Sequence, residues 1–169
     1  MNRKLSTVLL AGLALGAAMS AMAQESKPMG ISLRAGAFFP SNGVAKAAGN
    51  TWFGGGLDYK IETKVKVPKV QGMSSGFSLS ADYLTKDSLH LIPVNVNYVM
   101  SQNNVFYEAG VGAAFTNDGN NSTTKFGYQL GLGFNISQMK MPIFVEAKYY
   151  GVTGNSQFNG FAVYLGIRL

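Results

Sequence analysis

The sequence predicts an all-β fold, a closed antiparallel up-and-down barrel of about eight strands. Three observations carry that prediction. Apolar residues recur at every second position through most of the chain, the signature of strands. Turn residues separate the segments at meander spacing, and an even count lets first and last strands pair and remove both sheet edges. The opposite rows are mainly Gly, Ala, Ser and Asn, side chains suited to a crowded interior.

The first element is an address. Arg3 and Lys4, the apolar run 8–18 and then Ala21-Met22-Ala23 follow the charged, apolar and A-x-A order of a secretory signal peptide, with cleavage expected after Ala23. The alternative, an uncleaved anchor, is disfavoured because the run falls short of the ~20 residues that span a bilayer. Residues 24–169 then form one domain. The chain has no cysteine, so neither a disulfide framework nor a lipid-bearing cysteine is available. Losing Arg3 and Lys4 lowers the formal charge from +6 to +4, and an exported chain of that charge is not expected to bind nucleic acid. Charged residues make up 13%, against about 25% in ordinary soluble domains.

The strands follow in order. Residues 30–39, "GISLRAGAFF", set Ile31, Leu33, Ala35, Ala37 and Phe39 against Arg34, Gly36 and Phe38, and end at Pro40-Ser41-Asn42-Gly43. The second begins near Trp52, opposing Phe53, Leu57, Tyr59 and Ile61 to Gly54, Gly56, Asp58, Lys60 and Glu62, and is expected to run through "TKVKV" as far as Pro68. The third, 76–84, sets Phe77, Leu79, Ala81 and Tyr83 against Ser78, Ser80 and Asp82. The fourth sets Ile92, Val94, Val96 and Tyr98 against Pro93, Asn95 and Asn97. Pro93 cannot donate a ladder bond, which predicts an irregularity there.

The fifth, 105–115, alternates Val105, Tyr107, Ala109, Val111 and Phe115 with Glu108, Gly110, Gly112 and Ala114. In the sixth, Phe126, Tyr128, Leu130, Leu132, Phe134 and Ile136 oppose Gly127, Gln129, Gly131, Gly133 and Asn135. The seventh opposes Ile143, Val145, Ala147 and Tyr149 to Phe144, Glu146, Lys148 and Tyr150. The eighth, "NGFAVYLGIRL", keeps period two from Phe161 to Leu169. No helical stripe is found after the signal.

Alternation alone allows two barrels, a soluble one with an apolar inside and a membrane one with an apolar outside. The polar rows favour the second. Their charges come in both signs, Arg34, Lys60, Lys148 and Arg168 against Asp58, Glu62, Asp82, Glu108 and Glu146, and in a narrow lumen they could neutralise one another as buried charges require. Solvated charges on a soluble sheet remain the alternative. On the apolar rows, aromatics fall near segment ends, as with Phe39, Phe53, Tyr83, Tyr98, Tyr107, Phe115, Phe126, Tyr149 and Phe161, the pattern of interfacial girdles. Tilted segments of about ten residues cross a bilayer's apolar band, where only helices and closed barrels satisfy the backbone.

The segments "SLRAGAFFP", "YEAGVGAAF", "FGYQLGLGF", "FVEAKYY" and "VYLGIRL", in this order behind a signal peptide, resemble the small bacterial outer-membrane β-barrels of the OmpA/OmpX-like superfamily. The resemblance spans nearly all of residues 24–169. It implies a transmembrane barrel in the outer membrane, monomeric, with both termini in the periplasm and four external loops near 40–51, 85–89, 117–124 and 152–158. It also implies contact with outer-membrane lipid and lipopolysaccharide, and recognition of the last strand by the outer-membrane assembly machinery. The family usually ends in an aromatic residue, whereas this chain ends in Leu169. The "KVKVPKVQ" stretch would lengthen a hairpin expected to be short.

Chemistry is not expected. The lipid A deacylases resemble this chain in size and use a His and a Ser two positions apart, but the single histidine, His90, is followed at that distance by Ile92. One histidine and no cysteine argue against a transition-metal site. The Asp118-Gly119-Asn120-Asn121 loop has one carboxylate and reads as a turn rather than a calcium loop, so no cofactor is expected. Eight strands enclose just enough room for side chains, and Arg34, Phe38, Tyr150, Tyr164 and Arg168 could plug it. The sequence thus reads as an outer-membrane barrel with a structural or surface-interaction role and no catalytic residues. The alternatives are a soluble periplasmic lipocalin-like barrel binding an apolar ligand, a narrow channel, or a lipid A-modifying enzyme.

Overall fold

A computed structural model describes residues 30–61, 73–136 and 142–169. The expected signal peptide and the run through "TKVKV" to Pro68 lie outside the described residues. Eight strands go round a closed barrel in chain order: β1 (Ile31–Pro40), β2 (Trp52–Ile61), β3 (Met73–Lys86), β4 (Leu89–Gln102), β5 (Val105–Asn117), β6 (Ser122–Ile136), β7 (Ile143–Val152) and β8 (Gly160–Arg168). All neighbours are antiparallel. Closure is made by β8 on β1, in register from Ser32↔Arg168 to Pro40↔Gly160. The Leu169 N–H extends this ladder to Ile31 O at 2.7 Å. Among the described residues, no edge strand is left to template association.

The connections differ from expectation in two ways. Residues 40–51, read as loop, contain a short helix, α1 (Gly43–Ala48), too brief to show a periodic stripe. The loops expected at 85–89 and 117–124 contract, because β3 to β6 run on to Lys86, from Leu89, to Asn117 and from Ser122. The tight reversals need left-handed backbone, supplied by Asp87 at φ 52° and Asn103 at φ 53°, residue types that tolerate it. The irregularity expected at Pro93 is present: the β3–β4 pairing passes from Ala81↔Val94 to Leu84↔Leu91 with no pairs between them.

Alternation resolves the two faces. Outward residues such as Leu57, Val96, Val111, Leu130, Leu132, Val163 and Leu165 are exposed. Aromatics bound this aliphatic belt at both ends. Phe39, Phe53, Tyr83, Phe115, Phe126 and Phe161 lie towards the loops holding α1 and Asp118, while Tyr59, Phe77, Tyr98, Tyr107 and Phe134 lie towards the termini, as the cross-strand register shows. The core is inside the barrel. Its apolar part gathers at the loop end, where Phe38, Trp52, Leu84, Leu91, Tyr150, Val152, Phe158 and Ala162 pack below Ala45 of α1.

Candidate functional site

The lumen is the candidate site, and it is built in layers. At the loop end, Trp52 packs against Phe38 with ring centroids 5.3 Å apart and against Phe158 edge-on at 6.0 Å. Trp52 Nε1 donates to Gly49 O at 3.2 Å, so its one polar group is satisfied under the cap. Phe158 comes from the 3-10 turn Ser156–Phe158, which the Val152 N–H ties to Asn159 Oδ1 at 2.7 Å.

Below the cap lies a layer of charge. Arg34 on β1 points inward and grips Asp82 of β3 bidentately, Nε to Oδ1 at 2.8 Å and Nη2 to Oδ2 at 2.9 Å. Its Nη1 bonds Asp58 of β2 and lies 3.7 Å from Glu146 Oε2 of β7. Tyr150 donates to Asp82 Oδ2 at 2.8 Å and meets Tyr164 OH at 3.1 Å, while the Arg34 guanidinium sits 5.3 Å from the Tyr164 ring centre. Lys148 Nζ is 2.6 Å from Glu108 Oε1 and 3.6 Å from Glu146 Oε1. A planar fork held on several sides is the geometry that best offsets the desolvation of a buried guanidinium.

Neutral polar groups complete this layer. Gln129 accepts from Asn95 Nδ2 at 2.8 Å and aims its Nε2 at Asn97 Oδ1, Glu108 Oε1 and Ser80 Oγ, at 2.7, 2.9 and 3.2 Å. Glycines on neighbouring strands make the room. A Cβ on Gly56 would stand 1.8 Å from Asp82 Oδ1, and one on Gly133 would stand 2.1 Å from Phe106 Cζ. Sequence reasoning did not single out Gln129, although its place on an inward row was the available signal.

Towards the termini the lumen opens into a cavity of about 160 Å³, bounded by Asp58, Glu108, Glu146, Arg168 and several serines. Arg168 sits over the Phe106 and Phe144 rings, 4.9 and 5.2 Å from their centres, and forms no ion pair with a described residue. Lys60 corrects the sequence reading: it lines the cavity mouth, but exposed, and pairs with no described carboxylate. It lies one step beyond Asp58 on the same row, where the barrel has already met solvent. Glu62 lies outside the described residues. Phe38, Tyr150, Tyr164 and Arg34 all fill the lumen.

His90 is elsewhere. It stacks on outward-facing Tyr83, and its Nδ1 lies 3.0 Å from Tyr83 OH and 2.9 Å from Thr85 Oγ1. Asp118 caps a turn, its Oδ1 accepting from the N–H groups of Asn120 and Asn121 at 3.0 and 2.7 Å. The lipocalin-like alternative fails on the arrangement of faces. An apolar ligand needs an apolar interior, and here the barrel's middle is charged while the apolar rows face out.

Comparison by sequence finds no matching family model and no matching curated protein. Among solved structures, the chain is similar to the crystal structure of the outer membrane enzyme PagL, at 18% identity and a TM-score of 0.50, covering 82% of this chain and 97% of that one. It is similar to the Yersinia pestis outer membrane protein Ail in a phospholipid bilayer nanodisc, at 16% identity and a TM-score of 0.51, covering 82% and 98%. The N-terminal β-barrel domain of Pseudomonas aeruginosa OprF also matches, at 12% identity and a TM-score of 0.46, covering 84% and 98%. The chain has the fold of the small eight-stranded outer-membrane β-barrels.

Proposed function

We propose that this chain is an integral outer-membrane barrel with a structural or surface-interaction role and no catalysis. The observation that carries the reading is the inversion of the two faces. An exposed belt of Leu, Val and aromatic side chains encloses a lumen of paired charges, which suits lipid outside and suits water poorly. The lumenal charges, Arg34, Asp58, Asp82, Glu108, Glu146 and Lys148, serve stability in this reading by fastening strands to one another across the interior. Outer-membrane lipid and lipopolysaccharide are then the partners at the belt. The assembly machinery takes the last strand, whose role is to close on β1.

The non-catalytic part rests on His90, whose Nδ1 is bonded to neutral hydroxyls, so that no carboxylate orients it as the base of a nucleophilic relay. Conduction is disfavoured by the cap of tilted and edge-on aromatic rings and the charge layer beneath it. The test is envelope fractionation followed by gel electrophoresis of unheated and boiled samples. The expected result is recovery with the outer membrane and a mobility shift on boiling; recovery in the soluble periplasmic fraction would overturn the reading. In planar bilayers the purified barrel is expected to show no stable conductance.

A further inference from the structure

We propose that the cavity at the termini end is a binding site for one small oxyanion of the phosphate type, held between Arg168 and Lys60. Among the described residues, the lumen and its mouth carry four cations, Arg34, Lys60, Lys148 and Arg168, and four carboxylates, Asp58, Asp82, Glu108 and Glu146. The charges sum to zero, but the partners are divided unevenly. Two of the cations take up all four carboxylates. Arg34 pairs with Asp58 and Asp82 and lies 3.7 Å from Glu146 Oε2, while Lys148 pairs with Glu108 and lies 3.6 Å from Glu146 Oε1. Arg168 and Lys60 pair with no described carboxylate, and both border the cavity. The unpaired charge facing that space is therefore positive.

The register brings the two cations to neighbouring strands of one wall. Arg168 on β8 stands opposite Ser32 of β1, which stands opposite Asp58 of β2, and Lys60 lies one inward position nearer the mouth. Asp58 is turned onto Arg34 Nη1, and its Oδ1 is enclosed. The Arg168 guanidinium lies 4.9 and 5.2 Å from the Phe106 and Phe144 ring centres, a contact that holds it without using an N–H. Its Nε is enclosed and has no partner. The two terminal nitrogens, likewise without partners, are not enclosed and stay accessible from the cavity. A held fork with idle donors is costly until an acceptor arrives, and the paired oxygens of an oxyanion are its best match.

Hydroxyls supply the remaining donors and define the ligand class. Ser32, Ser78 and Ser101 lie on inward rows and line the cavity. Ser78 Oγ accepts from Asn97 Nδ2 at 3.2 Å, which leaves its own hydrogen free to donate. A fork on β8, an ammonium at the mouth and hydroxyls on β1, β3 and β4 offer donors from several directions, which suits a tetrahedral phosphate better than a planar carboxylate. A volume of about 160 Å³ admits such a group with part of its hydration, because a single water occupies about 30 Å³ of liquid. The lipid-facing rows lie on the other side of the wall, so the ligand is a soluble phosphate entering from the termini end rather than a bilayer headgroup.

The test is titration of the folded full chain with inorganic phosphate, in micelles of an uncharged, phosphate-free detergent at constant ionic strength and pH, followed by calorimetry and by the phosphorus NMR line width. The expected result is saturable binding of one phosphate per barrel, with acetate bound more weakly. Arg168→Gln should abolish binding, and Arg168→Lys, which keeps the charge but not the fork, should weaken it. Lys60→Gln should weaken it about two- to fivefold, as expected for an exposed ion pair. Should Arg168→Gln fail to fold, Arg168→Lys and Lys60→Gln decide the matter, because Lys60 is exposed. Phosphatidylglycerol added to the micelles should not compete; competition would assign the site to a lipid headgroup and overturn the proposal. Absence of saturable binding, acetate bound as tightly as phosphate, or binding unchanged in the variants would each overturn it as well.

Discussion

Glu108→Leu is the sharpest probe of the enclosed charge layer. In the native barrel Glu108 Oε1 lies 2.6 Å from Lys148 Nζ and accepts from Gln129 Nε2 at 2.9 Å. Leucine removes both contacts and leaves Lys148, itself 1% exposed, with Glu146 at 3.6 Å as its remaining ionic neighbour. Stranding one partner of a buried pair costs about 3–5 kcal/mol. At a typical urea slope of about 2 kcal/mol per molar, the midpoint falls by roughly 1.5–2.5 M. Lys148→Met placed on top of Glu108→Leu removes the stranded charge and should recover most of the loss, so a double-mutant cycle should give a coupling at least as large as the loss recovered. Far-UV circular dichroism and the unboiled gel band follow the transition in micelles. Asp118→Leu, in an exposed turn, is the comparison. Equal midpoints for Glu108→Leu and Asp118→Leu would refute the claim that these charges are enclosed.

Leu165→Arg, in the middle of the outer belt and 59% exposed, should cost about 2–4 kcal/mol in a lipid bilayer; a change under about 0.5 kcal/mol, as on a water-facing surface, would contradict a lipid-facing belt. Gly133→Ala drives a Cβ to within 2.1 Å of Phe106 Cζ, a ring backed edge-on by Phe144 at 5.8 Å, so a loss of about 1–3 kcal/mol is expected. Gly76→Ala, with nothing within 4 Å, should be near neutral in the same urea series. The N–H groups of Asn121 and then Asn120 hold the Asp118 carboxyl below the 3.8 of an unperturbed aspartate. Its ordering of the turn is therefore fully present above that value and is lost as pH falls through the lowered one; NMR titration of the two amides should give a midpoint below 3.8, and a midpoint above it would refute the cap.

What the sequence determined by itself was face and closure. A period of two assigns every residue of a strand to one side, which is why the inward places of Arg34, Asp82, Glu108, Glu146, Lys148, Tyr150 and Tyr164 were legible before any coordinates. Even strand number and an unbroken last strand likewise dictated the pairing of β8 with β1. Partners across the lumen were not legible, because alternation carries no information about height or azimuth. Only closure with tilted strands brings Arg34 to Asp82, 48 residues away, and Tyr150 to the same carboxylate, 68 residues away. The same closure left Lys60 at an exposed mouth and set Arg168 over two phenylalanines instead of a carboxylate. It also turned residues 40–51 and 152–158, read as loops, into the helix and turn that seal the barrel with Ala45 and Phe158. Local pattern fixes which way a side chain points, whereas long-range geometry fixes what it meets there.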